Sequence, residues 1–136
     1  MPVVPNRALV VTRFAVPEQD AERFLARSRE ALEALAGRPG YVRGHLGRGL
    51  DDPAAWLLVT EWDGVGSYRR ALSNYDVKVR ASPLLAQARD EPTGFEVLLA
   101  ADGGGEITTT RSDRAADADS TGPGCTVPAA ERRETR

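Results

Sequence analysis

The stretch AWLLVTEW, residues Ala55–Trp62, decides the fold class of this 136-residue chain. Its β-branched and aromatic side chains predict a strand, and both faces of that strand are apolar, as in strands that are covered on both sides. The stretch YVRGHLGR, residues Tyr41–Arg48, predicts a second strand, and the turn sequence DDP at residues 51–53 separates the two. We therefore expect these two strands to pair as an antiparallel hairpin.

A strand and a helix are predicted before this hairpin. The run ALVVTRF at residues 8–14 is rich in β-branched residues, and Pro17 stands at the first position of a segment with helical periodicity. Gly37 is expected to close this helix in a left-handed conformation, and Pro39 prevents its continuation. At about 100° per residue, one set of side chains falls within an arc of about 120°, the width of a core-facing stripe: Ala21, Phe24, Leu25, Ser28, Ala31, Leu32 and Leu35.

A second helical region and a last strand are predicted after the hairpin. Val65, Tyr68 and Leu72 recur at helical spacing, and a further short helix is expected to restart near Asn74. The run GFEVLLA at residues 94–100 predicts the final strand. The resulting order, βαββαβ, is typical of the ferredoxin-like α+β fold, in which one antiparallel sheet carries both helices on one face.

The other face of this sheet needs a cover of its own. Residues 8–14 and Ala55–Trp62 are apolar on both sides, whereas the helices cover only one side. An exposed apolar sheet face is unusual in a soluble monomer, and packing two such sheets face to face removes it. The pattern therefore predicts a homodimer.

Composition limits the domain organisation and the classes of partner. Apolar residues make up 41% of the chain and charged residues 28%, which is an ordinary globular balance. Residues 101–136 contain no aromatic side chain, 5 basic and 7 acidic ones, so a folded domain over residues 1–100 and a disordered polar tail over residues 101–136 are expected. The net charge of −2 argues against nucleic acid as a partner.

Cysteine and histidine usage bears on metals and on the compartment. Cys125 is the single cysteine and His45 the single histidine, so neither an internal disulfide framework nor a Cys/His zinc cluster is expected. No apolar stretch of about 18 residues predicts a membrane helix, and the N-terminal sequence lacks the pattern of a signal peptide. These observations predict a cytoplasmic protein that binds no metal.

Two local motifs resemble a known family. The PGY turn at residues 39–41 and VTEW at residues 59–62, followed by a helix that carries Tyr68, are similar to the antibiotic biosynthesis monooxygenase domain. The resemblance covers roughly residues 8–99. It implies a dimeric α+β barrel with a substrate cavity between the sheet and the helices of each subunit. It also implies oxygenation of an aromatic, anthrone- or quinol-type molecule without a metal or flavin cofactor.

The resemblance assigns roles to individual residues. Trp62 matches a tryptophan at the end of the third strand, and Tyr68 matches a tyrosine of the polyketide-oxidising branch. That branch has an asparagine four residues before the tryptophan, where this sequence has Leu58. The haem-degrading branch uses a first-strand asparagine, where Thr12 stands here, and an iron-binding histidine after the third strand, where this sequence has none. Haem degradation is therefore disfavoured.

The remaining candidate residues follow from the chemistry. Histidine ionises near neutral pH, which makes His45 a candidate base. His45 and Trp62 are the two candidate catalytic residues. Tyr68 and Tyr75 are candidates for stacking on a planar substrate or donating to it. The guanidinium groups of Arg13 and Arg43 are candidates for holding an anionic group of the substrate.

Two functions from different classes remain open from the sequence. One is the small oxygenase described above, and the other is a non-catalytic dimeric module that binds a hydrophobic small molecule or a protein partner. Sequence motifs for phosphate loops, hydrolase nucleophile elbows and zinc proteases are absent from the chain. Oxygen uptake in the presence of candidate substrates distinguishes the two functions.

Overall fold

The stretch AWLLVTEW forms one of the two inner strands of the main sheet. The computed structural model describes residues 6–112, and in it β3 (Ala55–Trp62) lies between β2 (Tyr41–Arg48) and β1 (Ala8–Ala15). A short strand, β4 (Gly94–Glu96), pairs with the other edge of β1, giving a four-stranded sheet in the order β2-β3-β1-β4. All pairings within this sheet are antiparallel. The predicted α+β class with a single antiparallel main sheet is confirmed.

The helices follow the predicted order. A short 3-10 turn at Glu18–Asp20 leads into α1 (Ala21–Ala36), which connects β1 to β2. Three shorter helices follow β3: α2 (Val65–Ser73), α3 (Tyr75–Arg80) and α4 (Ser82–Leu85). The restart of the helix at Asn74 is confirmed, because its side-chain oxygen caps α3 by accepting from the backbone N–H of Val77 at 3.2 Å.

The sheet has one face buried under the helices. The inward residues of β1 and β3 alternate along each strand and are almost fully buried: Ala8, Val10, Thr12, Phe14, Trp56, Leu58, Thr60 and Trp62. Their outward neighbours remain partly or fully exposed in this chain. The main core therefore lies between the helices and one side of the sheet, as the ferredoxin-like arrangement requires.

The pairing of β2 with β3 contains an irregularity. Tyr41 pairs with Trp62 and Arg43 pairs with Glu61, so Val42 is an extra residue on β2. Such a bulge shifts the alternation of the strand by one position. Tyr41 consequently shares the helix-facing side with Gly44, although the two residues are three positions apart in the sequence.

The end of α1 differs from the prediction. Gly37 has a φ of −81°, so the predicted left-handed conformation at this position is wrong. The helix ends with the N–H of Gly37 bonded to the carbonyl of Glu33, and the chain turns at Gly40 instead, where φ is +91°. The positive φ is therefore needed where the chain enters β2, three residues after the helix has ended.

The predicted last strand, residues 94–100, is divided in two. β4 pairs with β1 as far as Ala8, the first residue of β1, and one more backbone hydrogen bond, from Val97 N–H to the Arg7 carbonyl at 2.9 Å, follows this pairing. The chain continues into a separate unit that begins at Leu98 and contains a two-stranded hairpin of β5 (Leu99–Ala101) and β6 (Ile107–Thr109). This hairpin crosses the predicted boundary between the domain and the tail. Residues 113–136 of that tail, with Cys125, lie outside the described residues.

Membrane-spanning helices and clusters of metal-ligating side chains are both absent from the described part of the chain. No helix within residues 6–112 is long and apolar enough to cross a membrane. Within the same residues, no group of three or more His, Cys, Asp and Glu side chains is placed to hold a metal ion.

Candidate functional site

A cleft lies between α1 and β2. Its volume is about 400 Å³, and α1 and the helix-facing side of β2 supply its lining. The lining is mostly apolar, with a few polar side chains among its members: Leu25, Ser28, Arg29, Leu32, Glu33, Ala36, Tyr41 and Leu46. An apolar cleft with a small number of polar groups is the usual form of a small-molecule site.

The cleft uses one edge of the apolar stripe of α1. Phe24, Ala31 and Leu35 are buried in the core, whereas Leu25 remains 49% exposed and Leu32 is only partly buried. Leu25 and Leu32 lie about two turns apart on the same side of the helix. The predicted stripe is therefore wider than the surface that the core covers, and its uncovered edge becomes the wall of the cleft.

Gly44 and the bulge position the opposite wall. The bulge turns Tyr41 toward the helices, and the Tyr41 hydroxyl lies so close to Gly44 that a Cβ at this position would be 2.5 Å from it. The same Cβ would be 3.1 Å from Leu32 and from Thr60. The absence of a side chain at Gly44 therefore allows the phenol of Tyr41 to lie against the sheet.

Tyr41 of this wall belongs to an aromatic cluster with Trp62 and Tyr68. The ring of Trp62 is fully buried, and its centroid lies 5.4 Å from that of Tyr41 and 5.5 Å from that of Tyr68. The Tyr41 and Trp62 rings meet edge to face at 86°. Such contacts contribute about 0.5–1.5 kcal/mol beyond the burial of area, so Trp62 fixes the orientation of the cleft-lining Tyr41.

The polar groups of the aromatic cluster are either hydrogen-bonded or kept protonated. The indole N–H of Trp62 donates to the hydroxyl of Thr60 at 2.9 Å. Burial raises the pKa of the phenols of Tyr41 and Tyr68 above their ordinary value of 10.0. Both phenols are therefore protonated at neutral pH and available as hydrogen-bond donors.

A turn at Gly40 connects the cluster to α2. The backbone N–H of Asp63 donates to the carbonyl of Gly40 at 2.8 Å, and the Ser67 hydroxyl donates to the Asp63 carboxylate. A side chain at Gly40 would overlap Ser67, and the φ of +91° already disfavours any other residue there. This turn therefore fixes the positions of Tyr41, which follows Gly40, and of Trp62, which precedes Asp63.

The polar residues of the cleft differ in their partners. The Ser28 side chain is buried, and within residues 6–112 its hydroxyl has no hydrogen-bond partner. Glu33 accepts a hydrogen bond from Arg80 at 2.8 Å. Arg29 forms no ion pair within the part of the chain that the structure describes, so the cleft carries an unneutralised guanidinium.

The structure brings together only part of the predicted site. Trp62 and Tyr68 are in ring contact, as their predicted shared site requires, but Trp62 lies behind the cleft wall and does not line the cleft. Tyr75 is 79% exposed at the start of α3 and belongs to neither the cleft nor the aromatic cluster.

The other three predicted residues lie on the opposite side of the sheet. His45 pairs with Val59, Arg43 with Glu61 and Arg13 with Leu57, and these partners all face away from the helices. Arg43 forms an ion pair with Glu61 at 2.6 Å. Arg13 binds both carboxylate oxygens of Glu91, at 2.7 and 2.8 Å. The sheet therefore separates His45, Arg43 and Arg13 from the cleft.

Sequence reasoning missed Ser28 and Tyr41 as cleft residues. Ser28 stands in the middle of the apolar stripe of α1, and a hydroxyl in such a position is a usable signal. Tyr41 gave no comparable signal, because simple alternation from Leu46 and Gly44 places Val42, not Tyr41, on the helix-facing side. The bulge reverses that assignment.

The fold and the site define a class of protein: a ferredoxin-like α+β protein with an apolar cleft between helix and sheet. The sequence profile of the antibiotic biosynthesis monooxygenase family matches residues 7–78, which is more than half of the chain. The chain belongs to this family, as its two motifs predicted.

A curated protein is similar in sequence over most of this chain. The chain is 27% identical over 100 residues to the "42.8 kDa protein in whiE locus" of Streptomyces coelicolor, which covers 73% of this chain but only 25% of that protein. The chain thus corresponds to about a quarter of the curated relative's length.

Solved structures are also similar. SnoaB, a cofactor-independent oxygenase from Streptomyces nogalater, is 26% identical with a TM-score of 0.54, over 68% of this chain and 93% of that one. A conserved protein from Methanosarcina mazei shares the fold at 17% identity and a TM-score of 0.56, over 78% of this chain and 94% of the other.

Proposed function

We propose that this protein is a cofactor-independent oxygenase that oxidises an electron-rich aromatic molecule of the anthrone or quinol type. The observation that carries the proposal is the apolar cleft of about 400 Å³ backed by Tyr41 and Trp62. Its volume lies within the range of roughly 300–1,000 Å³ that small-molecule sites occupy. Membership of the family and the similarity to SnoaB support oxygenase chemistry without a metal or flavin.

The chemistry demands an electron-rich substrate. Ground-state dioxygen is a triplet and reacts slowly with closed-shell organic molecules, so the substrate itself must supply the first electron. An anthrone does so after losing a proton from its methylene carbon, because the resulting enolate is easily oxidised. An apolar cleft with aromatic walls binds such a planar molecule and limits the access of water.

The polar groups at the cleft support this first step. Arg29 carries a positive charge without an ion-pair partner in the described residues, and it stabilises the enolate electrostatically. Glu33 is the carboxylate that lines the cleft, and we assign it as the proton acceptor, with Arg80 holding its Oε1 at 2.8 Å. This role belonged to His45 in the sequence hypothesis, but His45 lies across the sheet from the cleft.

The later steps need no further electron donor. The enolate transfers one electron to dioxygen, and the resulting superoxide and substrate radical combine into a peroxide anion at the former methylene carbon. This anion takes back the proton held by Glu33 and becomes a hydroperoxide. Loss of water from the hydroperoxide gives a carbonyl. One oxygen atom of dioxygen enters the product and the other enters water, so the substrate methylene and dioxygen become a quinone carbonyl and one water.

Oxygen consumption tests the proposal. Purified protein, freed of flavin and treated with a chelator, is mixed with anthrones and 1,4-dihydroxynaphthalenes, and uptake is compared with the uncatalysed rate. Leu25→Trp fills the cleft from a side chain that is 49% exposed, whereas Leu50→Trp makes the same change at a fully exposed position. We expect Leu25→Trp to abolish the protein-dependent uptake and Leu50→Trp to retain it. Uptake that survives in Leu25→Trp would place the reaction outside the cleft.

The alternative function is binding without turnover. The observation that favours it is the small number of polar side chains in the cleft, because His45, Arg13 and Arg43 all lie on the other face of the sheet. Tight binding of aromatic ligands that Leu25→Trp removes, with no oxygen uptake across the whole panel, would support this second function.

We also propose that the outward face of the sheet is covered by a second copy of the chain. Its centre is apolar, with Leu9, Val11, Leu57 and Val59 only partly buried in the single chain. His45 lies opposite Val59 in this face. Packing two such faces together buries the apolar centre and leaves the cleft of each copy on the helix side.

A further inference from the structure

Ser28 is the least expected residue of the cleft. It lies at the centre of the apolar stripe of α1 and is 1% exposed, yet its hydroxyl has no hydrogen-bond partner among residues 6–112. A serine within a helix commonly bonds back to the carbonyl four residues earlier, and Ser28 does not do so. Buried polar groups are rarely left unpaired, so such a group at a cleft wall points to a ligand.

Tyr41 supplies a second polar group to the same cleft from the opposite side. Its ring is held by Trp62, and its position against the sheet depends on Gly44. Because burial raises the pKa of this phenol, the hydroxyl keeps its proton well above neutral pH. A neutral phenol donates a hydrogen bond without introducing a charge into the apolar surroundings.

The other lining residues are apolar or charged. Leu25, Leu32, Ala36 and Leu46 provide apolar contact, and the charged side chains of Arg29 and Glu33 belong to exposed residues of α1. Ser28 and Tyr41 are therefore the uncharged polar side chains that a bound ring system meets in the cleft. A ligand that lacks a polar atom at that place would leave the Ser28 hydroxyl unpaired in a closed site.

We propose that Ser28 and Tyr41 form a hydrogen-bonding subsite for a hydroxyl or carbonyl group on the edge of an aromatic ligand. Ser28 can donate to a carbonyl or accept from a hydroxyl, and Tyr41 donates to either group. The subsite rests on the proposed function in that it places the ligand in the same cleft. It adds a specificity: the ligand carries an uncharged oxygen substituent that enters the cleft next to α1.

The test uses two unreactive ligands that differ in one group, 1-naphthol and 1-methylnaphthalene. Dissociation constants are measured by calorimetry for the wild type, Ser28→Ala, Tyr41→Phe, and Ser73→Ala as the control. Ser73 is an exposed serine at the end of α2 and lies away from the cleft, so its replacement repeats the chemical change of Ser28→Ala. Thermal melting is recorded on every variant to confirm that it is folded.

The expected result is selective for the oxygen substituent. Ser28→Ala should weaken the binding of 1-naphthol about tenfold, as expected for the loss of one hydrogen bond to a buried hydroxyl. Binding of 1-methylnaphthalene should change less than twofold. Tyr41→Phe should behave in the same way, and Ser73→Ala should bind both ligands as the wild type does.

Two results overturn the subsite, and they are distinguishable from a failure of the proposed function. Unchanged 1-naphthol binding in Ser28→Ala, in a protein whose binding is lost in Leu25→Trp, removes Ser28 from the site while leaving the cleft as the ligand site. Equal weakening of both ligands assigns Ser28 to packing alone. Binding that Leu25→Trp does not affect rejects the cleft, and with it both the proposed function and the subsite.

Discussion

The indole N–H of Trp62 donates to the hydroxyl of Thr60, 2.9 Å away, and both side chains are buried on the helix-facing side of β3. The donor of Trp62 is therefore used within its own strand. Trp62 reaches the cleft through the ring of Tyr41, with 5.4 Å between the centroids. We regard Trp62 as a positioning residue for Tyr41, which lines the cleft directly.

Replacement of either partner tests this relationship. Trp62→Phe removes the donor and part of the ring, and we expect a loss of about 2–3 kcal/mol in the free energy of unfolding from the cavity and the unpaired Thr60 hydroxyl. Thr60→Val is nearly isosteric and leaves the buried indole N–H without an acceptor, so a loss of about 1–3 kcal/mol is expected. Urea denaturation of both variants and of the double variant gives the coupling between the two side chains.

Ligand binding by the folded Trp62→Phe protein separates positioning from direct contact. We expect the free energy of 1-naphthol binding to change by less than the free energy of unfolding does. The change in binding should also be smaller than the change in Tyr41→Phe. A larger effect on affinity than on stability would instead place the indole at the ligand, as the sequence hypothesis did.

The sheet and its inward residues could be predicted because they depend on local pattern. Alternation within Ala55–Trp62 is unbroken, so the sequence alone assigns Trp56, Leu58, Thr60 and Trp62 to one side, and the structure buries all of them. Successive side chains of every strand point to opposite faces, so this alternation can be predicted without knowing which strands pair.

The residues of the cleft could not be predicted in the same way. The bulge at Val42 is a property of the pairing between β2 and β3, and it reverses the faces of the residues before it. The partners of Arg13 and Arg43, namely Glu91 and Glu61, are 78 and 18 residues away in the sequence. Such contacts form only in the folded chain. The sequence alone therefore does not show that each arginine is paired with a carboxylate and is not free to bind a substrate.

Gly40 is expected to be far more sensitive to substitution than Gly47, a glycine within β2. Gly40→Ala places a Cβ against Ser67 at a φ of +91°, and we expect a loss of about 2–4 kcal/mol in stability. Gly47→Ala is the matched control, because a Cβ at Gly47 meets no atom within 4 Å. Thermal and urea denaturation provide the measurement. Equal stability of the two variants would show that the turn at Gly40 adapts freely.

The ion pair of Arg13 and Glu91 predicts a pH dependence of stability. The hydrogen bond and charge of Arg13 lower the pKa of the Glu91 carboxyl below its ordinary value of 4.5. A carboxyl with a depressed pKa stabilises the folded state above its unfolded-state pKa, and this contribution is lost as the pH falls through the folded-state pKa. Wild type and Glu91→Gln should therefore differ in unfolding free energy at neutral pH and converge in acid. Because the pair is exposed, the difference should be small and should shrink at high salt.

The Arg13→Gln background is the control for this pH effect. With the guanidinium removed, Glu91→Gln should change the dependence of stability on pH much less, because only the charge of Arg89 then lowers the pKa of the Glu91 carboxyl. A difference between the two proteins that persists unchanged in acid would assign the effect of Glu91 to packing or loop structure and not to its charge.

The outward face of the sheet gives the last prediction. If a second copy covers this face, an arginine at Val59 places a charge in the apolar centre of the interface, opposite the same face of its partner. We expect the wild type to have the mass of a dimer by light scattering at micromolar concentration, and Val59→Arg to have that of a monomer. Leu50→Arg introduces the same charge at a fully exposed position and should remain dimeric. Because the cleft lies on the helix side of the sheet, monomeric Val59→Arg should still bind 1-naphthol in the cleft. A monomeric wild type would show that the apolar face has another cover, and loss of ligand binding in Val59→Arg would show that the second copy helps to form the site.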